Sequence, residues 1–598
     1  MVKSVFLRHV LVETKEMARM ALNAYMESTD EDPFSQIASS LSACALTRAE
    51  GGRIGWVDLA TADMNEATTT ILPTSVLTTL WSLQPKSGDL HIISSTETNQ
   101  HHLILAEELL LNHLSRMDGA TKDNNTIPRV GSHSGQNALI ARSKLRGQGV
   151  TPTFPKNPKT YKIHTVGCQM NVADSERLKG VFQHDLGMAE ATDDKDADVV
   201  VFNTCSIRDH AEQKLYDSLG PYSAQKRAGR DVALIVTGCV AQQEGDALLR
   251  RVPEIDVVVG PQYVPRLRDV LDSVEWGHQV LATSPMIQQD RDFSKPVREH
   301  RVKAWVNVIY GCNEHCTYCV VPAVRGMEQS RTMESILEEC LDLANNGYKE
   351  ITLLGQNIDA YGRDMVPKRN FADLLVYLNA NLPDGMRIRY VTSHPRYFAD
   401  GVIDAVANLD KVCECFHMPF QAGDDGVLKR MRRGYTFESY MKIIDKIRLR
   451  APDAAICGDV IVGFPGESDE AFEQTLALMR EVKFDNLNTF AYSPRPNTDA
   501  ALFEDQIAEE VKASRLRRVQ ALAAEHALER SKRYVGRTVE VLVEGRNPRN
   551  PEQVMGRTRQ GRQIFFGGDI DSLEGKLVDV EVTEARTWSL MGRQASLS

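Results

Sequence analysis

The stretch Tyr310-Gly-Cys312-Asn-Glu-His-Cys316-Thr-Tyr318-Cys319 carries three cysteines with the spacing Cys-x3-Cys-x2-Cys. It follows directly on Ala304–Ile309, an apolar run that predicts a β-strand. The cysteines therefore fall in a loop at the C-terminal end of a strand, where barrel-type α/β folds carry their chemistry. Three thiolates this close together can ligate three irons of a cubane iron–sulfur cluster and leave the fourth iron open. The alternatives are a zinc site or three unrelated cysteines, but zinc usually takes four ligands in paired motifs and no fourth cysteine lies nearby.

Strand-like runs alternate with helix-like runs on both sides of this loop, which predicts two parallel sheets. A long helix is predicted at 505–533, and the short β-type runs with glycines from Thr538 to Leu590 predict a small barrel. The predicted strands of the two sheets and the barrel are Tyr161–Val166, Asp198–Phe202, Val232–Thr237 and Val257–Val259; Ala304–Ile309, Glu350–Leu354, Met386–Val391 and Ala455–Val462; and Val539–Val543, Ile564–Phe566 and Leu577–Val582.

The composition indicates a globular chain of several domains. It has 598 residues, of which 42% are hydrophobic and 25% charged, and a net charge of −11, so any nucleic-acid site must be a local patch. The 11 cysteines are too sparse for a disulfide scaffold and favour a reducing compartment and metal binding. We expect no membrane span and no secretory signal, and hence a location in the cytoplasm, or in an organelle matrix or stroma if a leader has been removed.

The cysteine loop and five later segments resemble the radical S-adenosylmethionine (radical SAM) superfamily and, within it, the methylthiotransferases. The cysteine loop continues as Val-Val-Pro and then Arg325-Gly326-x-Glu328-x-Ser330-Arg331, in the manner of that subfamily. Each later segment is weak alone, but together they occur in the expected order. They are Leu354–Asn357, Thr392–Pro395, His417–Gly423, Gly463–Glu467 and Tyr492–Pro496.

This resemblance implies a [4Fe-4S] cluster on Cys312, Cys316 and Cys319 that binds S-adenosylmethionine through its open iron. Two departures from the family pattern are Met418 and Ala422, where Leu and Ser are usual; neither changes the expected reaction class. The residues implied in binding S-adenosylmethionine are Tyr318, Gly355, Gln356, Asn357, Ser393 and Gln421.

A second set of three cysteines, Cys168, Cys205 and Cys239, is spread over the preceding predicted sheet. Each follows a strand-like run, and the carboxyl ends of parallel strands meet at one edge. From the residues alone, a second cluster and three buried core cysteines remain equal alternatives.

The segments around these cysteines resemble the three signature blocks of the methylthiotransferases: Gly167–Glu176, Asn203–Arg208 and Thr237–Gln242. The resemblance implies that Cys168, Cys205 and Cys239 hold a second [4Fe-4S] cluster, which binds or donates sulfur. We expect Asn171, Asn203 and Arg208 to tune or stabilise this cluster without ligating it.

Residues 534–598 resemble the TRAM domain, a small β-barrel that binds RNA, in Met555–Thr558 and in Gly575–Val580. One interpretation makes Phe565 and Phe566 stacking groups beside Arg557, Arg559 and Arg562. The alternative is an ordinary solvated barrel whose aromatic pair belongs to the core.

Residues 1–118 resemble the parvulin-type (PpiC-type) peptidyl-prolyl isomerases, in which His9, Cys44 and His102 occupy the positions of the central histidine pair and cysteine. Gln100 and His101 depart from the usual Gly and aromatic residue. The alternative is a domain that binds proline-containing peptides without catalysis. A strand over Val5–Val12 and a helix over Lys15–Glu27 are predicted here.

The sequence therefore predicts a multidomain α/β chain with five segments. They are a parvulin-like α+β domain at 1–118, a linker at 119–157, an α/β methylthiotransferase N-terminal domain at 158–280, a radical SAM partial TIM barrel at 298–533 and a TRAM β-barrel at 534–598.

The run Gly-Cys-Gln-Met-Asn-x-x-Asp-Ser-Glu at 167–176 is most like the MiaB type, which modifies isopentenyladenosine beside the tRNA anticodon. The alternatives are threonylcarbamoyl-adenosine in tRNA, a ribosomal-protein aspartate, or a prolyl isomerase with inert passenger domains. The implied partners are tRNA, a flavodoxin- or ferredoxin-type electron donor, a sulfur source and a proline-containing peptide.

Overall fold

The computed structural model describes residues 155, 157–206, 209–272, 279–283 and 295–595, together with the strands at 2–12, 53–58, 90–94, 101–111 and 141–143. The chain forms two compact units, residues 1–126 with 131–138, and residues 127–130 with 139–598. Within the described residues, no helix combines the length and the apolar character that crossing a bilayer requires.

The first unit contains an antiparallel sheet in the order β2-β1-β4-β3. Its strands are β1 (Val2–Val12), β2 (Arg53–Asp58), β3 (Leu90–Ser94) and β4 (His101–Leu111). The predicted strand over Val5–Val12 is confirmed, whereas the predicted helix over Lys15–Glu27 lies outside the described residues.

The second unit begins with a seven-stranded sheet in the order β5-β11-β10-β9-β8-β6-β7, parallel except for β5. Strands β8 and β9 are fully buried, as expected of parallel strands with both faces covered. All four predicted strands are confirmed to within two residues, but β5 lies in the predicted linker. The seven strands are β5 (Ala141–Ser143), β6 (Thr160–Val166), β7 (Ala189–Glu190), β8 (Val199–Thr204), β9 (Ala233–Gly238), β10 (Val257–Val259) and β11 (Gln279–Ala282).

Six parallel strands then form a partial barrel as two three-stranded sheets, β12-β15-β16 and β17-β18-β19. A parallel bridge between Ile388 and Val412 joins the two. These strands are β12 (Lys303–Asn307), β15 (Glu350–Leu354), β16 (Arg387–Tyr390), β17 (Cys415–His417), β18 (Ala455–Val462) and β19 (Asn486–Ala491), and the short strands β13 (Ile309–Tyr310) and β14 (Gln329–Ser330) pair beside β12.

Alternation along these strands separates a helix-covered face from an inner face. On β15, Ile351 and Leu353 enter the hydrophobic core with the helices, so Glu350, Thr352 and Leu354 line the interior of the barrel. Because all six strands run in parallel, the loops at their C-terminal ends gather at one mouth. The predicted partial barrel is therefore confirmed.

Helices cover both sheets. The described helices are Gln169–Gly180, Asp209–Arg227, Cys239–Glu244, Asp246–Arg251 and Leu267–Asp272 in the first sheet domain; Val321–Arg325, Met333–Asn345, Phe371–Asn381, Asp400–Asn408, Asp425–Arg430, Phe437–Arg450, Asp469–Val482 and Glu509–Lys532 in the barrel; and Ile570–Leu573 near the C-terminus. Shorter 3-10 turns are Asp194–Asp196, Pro261–Arg266, Ile358–Ala360 and Asp499–Leu502, and Val181–Asp185 is one π-helical turn.

The C-terminal residues form a closed barrel in the order β20-β21-β22-β24-β23, which confirms the predicted small β-barrel. Its core contains Val541, Val554, Ile564 and Phe566. Its strands are β20 (Thr538–Asn547), β21 (Asn550–Thr558), β22 (Gln563–Gly567), β23 (Leu577–Ala585) and β24 (Ser589–Gln594).

This small barrel packs on the N-terminal ends of the parallel strands, opposite the cysteine loop. Arg387 and Arg389, at the start of β16, donate hydrogen bonds to carbonyl oxygens of Arg557, Thr558 and Arg559 at 2.7–2.8 Å. Lys303, the first residue of β12, lies 2.8 Å from the Glu544 carboxylate. The end of the barrel opposite the cysteine loop is thus closed by ion pairs and hydrogen bonds.

Two predicted RNA-contacting arginines lie in this interface instead. Arg559 makes a bidentate contact with Glu414 at 2.7–3.0 Å, and Arg562 is buried and donates to the carbonyl of Asp485 at 2.6 Å. Phe566 is fully buried in the barrel core, so its predicted role as a stacking group is wrong. Phe565, its neighbour on β22, is half-buried because alternate residues of a strand face opposite sides.

Candidate functional site

The first cysteine triad lies in the loop between β13 and β14, at the mouth of the parallel barrel. The pairing of those strands brings the two ends of the loop together, and the Cys312 N–H donates to the carbonyl of Gly326 at 3.1 Å. Gly311 has φ 70°, and a side chain there would meet the carbonyl of Met327 at 2.0 Å, so only glycine fits. Burial raises the pKa of the Cys312 thiol to about 12 and that of Cys319 to about 11.

Arg433 brings a positive charge to this triad from a distant part of the chain. Its side chain is buried, and Nη1 donates to the sulfur of Cys316 at 3.2 Å. Its Nε lies 3.3 Å from the Tyr435 hydroxyl. A guanidinium in this position stabilises negative charge on the sulfur that it contacts.

The second triad forms where three neighbouring parallel strands end. Cys168 follows β6, Cys205 follows β8, and Cys239 opens the helix after β9. The order β9-β8-β6 makes Cys205 the central residue, and its sulfur lies within hydrogen-bonding reach of both other sulfurs. The contacts with Cys205 are the largest cause that lowers the pKa of the Cys168 thiol and of the Cys239 thiol to about 6.

Buried amide side chains fix the loops of the second triad. The Asn171 Nδ2 donates to the Asn203 Oδ1 at 3.0 Å, and the Asn203 Nδ2 donates back to the Asn171 carbonyl at 2.8 Å. A side chain on Gly167 would meet the Asn171 Oδ1 at 2.4 Å, which explains the glycine before Cys168. The supporting positions expected for Asn171 and Asn203 agree with this geometry, whereas Arg208 lies outside the described residues.

A second arginine, Arg325, serves the second triad. It ends the helix Val321–Arg325 that follows Cys319, and its Nη1 forms a 2.7 Å ion pair with the Asp174 carboxylate. Both side chains are more than nine-tenths buried. Burial works to lower the pKa of this guanidinium, but the charges of Asp174, Cys239 and Cys168 raise it above its usual value.

The two triads border the same space. Cys239 packs against Val320 and Val324, directly after Cys319, and lies near enough to influence the charge of that cysteine. Cys168 packs against a cluster of Met170, Ala173 and Leu354, the last residue of β15, and Trp305 of β12 packs on the same cluster. Both sets of thiols therefore open on the mouth of the barrel.

The residues expected to bind S-adenosylmethionine all lie at this mouth. Tyr318 packs edge-on against Phe464, with ring centroids 6.5 Å apart. Gly355 follows directly on β15, and a side chain there would meet the Ile309 Cγ2 at 2.4 Å. Gln421 is buried with φ 65° in the loop after β17. The structure thus brings together six residues that are spread over about a hundred positions of the sequence: Tyr318, Gly355, Gln356, Asn357, Ser393 and Gln421.

Buried polar atoms without hydrogen-bond partners are concentrated at the same mouth. Among the described residues, both side-chain polar atoms of Asn307, Gln356 and Asn357 are buried and unpaired, as is the Nε2 of His394. An unpaired buried polar group costs about 1–3 kcal/mol, so a mouth that keeps several of them is built for a polar ligand. An amino-acid carboxylate, an ammonium group and a ribose, such as S-adenosylmethionine carries, would pair these atoms.

Asp359 adds an ionisable group that the sequence did not single out. Burial raises the pKa of its carboxyl to about 7, although hydrogen bonds from the His394 N–H and from Ser393 oppose this shift. Burial together with Arg433 and Arg396 lowers the pKa of His394 to about 2, so that imidazole is neutral. The mouth therefore presents weakly charged donors and acceptors beside the buried cation of Arg433.

As they stand, no three His, Cys, Asp or Glu side chains among the described residues are arranged to hold a metal ion. The fit of the triads to clusters rests instead on their donor chemistry. Each offers three thiolates, the usual ligands of iron–sulfur clusters, and each has one buried arginine beside the sulfurs.

Sequence reasoning missed the roles of Arg433, Arg325, Asp174 and Asp359. Arg325 and Asp174 lie inside the quoted family motifs, so the motifs contained the signal but not the contact. Arg433 and Asp359 carry no spacing pattern that links them to the cysteines, because their proximity arises from the closure of the barrel.

Three family profiles match the chain. The Uncharacterized protein family UPF0004 covers residues 160–260, the Radical SAM superfamily residues 306–479 and the TRAM domain residues 532–594. Residues 306–479 form a radical SAM domain. The set of three domains fits a MiaB-like methylthiotransferase that acts on RNA.

Solved structures share low identity with this chain. The radical S-adenosylmethionine methyltransferase TsrM from Kitasatospora setae is 13% identical, covers 57% of this chain and 74% of its own, and has a TM-score of 0.43. The cobalamin-dependent radical enzyme OxsB is 10% identical over 62% of this chain and 56% of its own, with a TM-score of 0.43. The foldase protein PrsA from Streptococcus pneumoniae is 18% identical over 18% of this chain and 36% of its own, with a TM-score of 0.15.

Proposed function

We propose that the chain inserts a methylthio group at carbon 2 of isopentenyladenosine beside the anticodon of tRNA. The observation that carries this proposal is the position of the second triad, which opens on the same mouth as the cysteine loop of the radical SAM domain. A second set of thiols at that position would allow a second cluster to present sulfur to the radical. The MiaB-like run at 167–176 supports the choice of isopentenyladenosine.

The residues divide the work between holding groups and excluding water. Cys312, Cys316 and Cys319 would hold one [4Fe-4S] cluster, and Cys168, Cys205 and Cys239 the other. When bound, the clusters and S-adenosylmethionine supply the radical, the sulfur and the methyl group. The carbon at position 2 has no useful acidity, so proton transfer from a side chain would not replace that chemistry.

The other residues at the mouth orient the bound groups. Gln356, Asn357 and Ser393 would pair with the polar groups of S-adenosylmethionine, and Tyr318 would pack on its adenine. Trp305 and Leu354 would close the inner side of the mouth near Cys168.

The distance between the two ends of the parallel barrel is compatible with a macromolecular substrate. The TRAM barrel lies at the N-terminal ends of the strands and the cysteines at the other, roughly 20 Å away for a strand of about six residues. A stem-loop can bind at one end while its tip enters the mouth. Strand β19 pairs only with β18 among the described strands, and its Asn488 and Phe490 are exposed, which leaves a lateral opening for an extruded base.

Nucleoside mass spectrometry of tRNA from a deletion strain tests the substrate. We expect 2-methylthio-isopentenyladenosine to disappear, to return with the wild-type chain, and not to return with Cys205→Ala. Loss of a threonylcarbamoyl-adenosine derivative instead, or of a modified ribosomal-protein aspartate, would assign one of the alternative substrates. Anaerobic reconstitution should give about eight irons per chain, as two cubanes require.

For the first unit, we propose a parvulin-like domain that binds proline-containing peptides. The supporting observation is the sheet order β2-β1-β4-β3, in which His9 is opposite Ile104 and His102 is opposite Leu11. The two histidines thus hold neighbouring positions on adjacent central strands, whereas Cys44 lies outside the described residues. A protease-coupled assay on a proline peptide should show isomerisation that His102→Ala abolishes, and an inactive wild-type chain would leave peptide binding as the function.

A further inference from the structure

Arg325 has no role that the three domain matches assign. It comes from the radical SAM domain, yet its guanidinium reaches the cysteines of the other domain. Its Nη1 is paired with Asp174, which lies on the helix that begins after Cys168. The contact therefore crosses the boundary between the two cysteine triads.

One donor of this arginine makes no hydrogen bond of normal geometry. The Nη2 atom is buried, and its guanidinium lies within hydrogen-bonding reach of the Cys239 sulfur. The side chain is only 7% exposed, so water does not pair that nitrogen. A buried guanidinium donor without a partner is costly unless an anion takes it up.

The packing fixes the position of this donor. Val320 and Val324, on the same short segment, pack against Cys239. Gly326, with φ 78°, ends the helix directly after Arg325. The cation is thus held on a rigid element beside the sulfurs instead of reaching them from a mobile loop.

We propose that Arg325 is a positioning residue that holds, through Nη2, the sulfur anion carried at the second triad for transfer. This inference rests on the proposed function and adds a residue to it. The anion is a sulfide or a thiolate, whose negative charge the guanidinium stabilises by a charge-assisted hydrogen bond. Asp174 orients the guanidinium but does not contact the sulfur.

The test uses the full chain with Cys312, Cys316 and Cys319 changed to Ala, so that only the second cluster is present. Reconstituted protein is titrated with sodium methanethiolate and, separately, reduced under potentiometric control, with the cluster followed by electron paramagnetic resonance. We expect Arg325→Gln to weaken methanethiolate binding about 10- to 100-fold, the loss of one hydrogen bond to a charged group. The cluster potential should also become more negative, because a neighbouring cation is lost.

Asp174→Asn is the matched control, since it breaks the same ion pair and leaves the cation. It should shift the potential in the positive direction and keep methanethiolate binding. Arg325→Lys should restore part of the affinity. The double variant Arg325→Gln/Asp174→Asn removes both buried charges, so its loss of binding is not caused by an unpaired carboxylate.

The outcomes separate this inference from the proposed function. Equal effects of Arg325→Gln and Asp174→Asn, or wild-type binding in Arg325→Gln, would show a purely structural ion pair and overturn the inference alone. A parent chain whose cluster binds no methanethiolate would overturn both. Opposite shifts of potential in the two variants would support the assignment.

Discussion

The two ends of the parallel barrel use polar residues in opposite ways. At the N-terminal end, Arg387 and Arg389 bind backbone carbonyls of the neighbouring TRAM barrel, and Arg559 of that barrel binds the Glu414 carboxylate. At the C-terminal end, Gln356 and Asn357 are buried with unpaired atoms. The same six strands supply both ends. The difference teaches that the first end is built to hold domains together and the second to receive ligands.

The largest expected effect is at the cysteine end. Cys312→Ala removes a candidate ligand of the radical cluster, and we expect product formation to fall about 1000-fold or more, since the reaction has no substitute for radical chemistry. Iron content should fall from about eight to about four per chain. Quantitative iron analysis and nucleoside mass spectrometry measure both quantities.

Cys340→Ala is the control for this variant, because Cys340 lies in the hydrophobic core away from the mouth. Its iron content should match that of the wild type. Unchanged iron content in Cys312→Ala would show that the cysteine loop is not a cluster site, and the contrast between the two ends would fail.

The next largest effect is expected at the arginine end. Arg389→Met leaves Glu350, whose side chain is 3% exposed, without its cation, and a broken buried ion pair costs about 3–5 kcal/mol. Urea denaturation followed by circular dichroism should show this loss while iron content is retained. Arg518→Met, at an ion pair about half exposed on both sides, should change stability by less than about 1 kcal/mol. Equal denaturation midpoints for the two variants would contradict this account of the end.

A smaller effect is expected in the pH dependence of stability, through Asp359 at the cysteine end of the barrel. Burial raises the pKa of Asp359 to about 7, above its usual value of about 3.9, so the native state binds more protons than the unfolded state between these pH values. Stability contributed through Asp359 therefore falls as the pH rises from about 4 to 7 and is constant above that. We expect Asp359→Asn to gain stability relative to the wild type by about 2–4 kcal/mol between pH 5 and pH 8. If the difference in unfolding free energy between Asp359→Asn and the wild type did not change with pH, the pKa of the Asp359 carboxyl would not be raised by burial at the mouth.

The smallest effect concerns RNA. Because Arg559 and Arg562 are occupied by the domain interface, an exposed aromatic residue should contribute to RNA binding instead. Trp588 is 52% exposed on the TRAM barrel, and losing a stacking residue should weaken RNA binding about tenfold with little change in stability. Fluorescence anisotropy with an anticodon stem-loop measures this for Trp588→Ala. Unchanged affinity in that variant would show that the RNA-binding surface does not include Trp588.

Much of the fold was predictable because its strands are short apolar runs between turns. The strands that were predicted between Tyr161 and Val462 were placed to within about two residues, since local patterns mark them. Short strands in that range, such as Ala189–Glu190, Gln279–Ala282 and Cys415–His417, were not predicted. The strand Ala141–Ser143 was missed because three residues at the edge of a sheet carry no periodic signal. The arginines of the TRAM barrel were misread, because a basic residue looks alike in sequence whether it faces RNA or a carboxylate of the next domain.

The sequence by itself determined the first triad, since Cys312, Cys316 and Cys319 share one loop and their spacing alone keeps them close. It could not decide the second, because Cys168, Cys205 and Cys239 meet only when β6, β8 and β9 become neighbours. It also could not place Arg433 and Arg325 beside the sulfurs or Asp359 at the mouth. Such contacts depend on the order of strands and the packing of helices, and residues far apart in the chain gain their electrostatic surroundings only when the barrel closes.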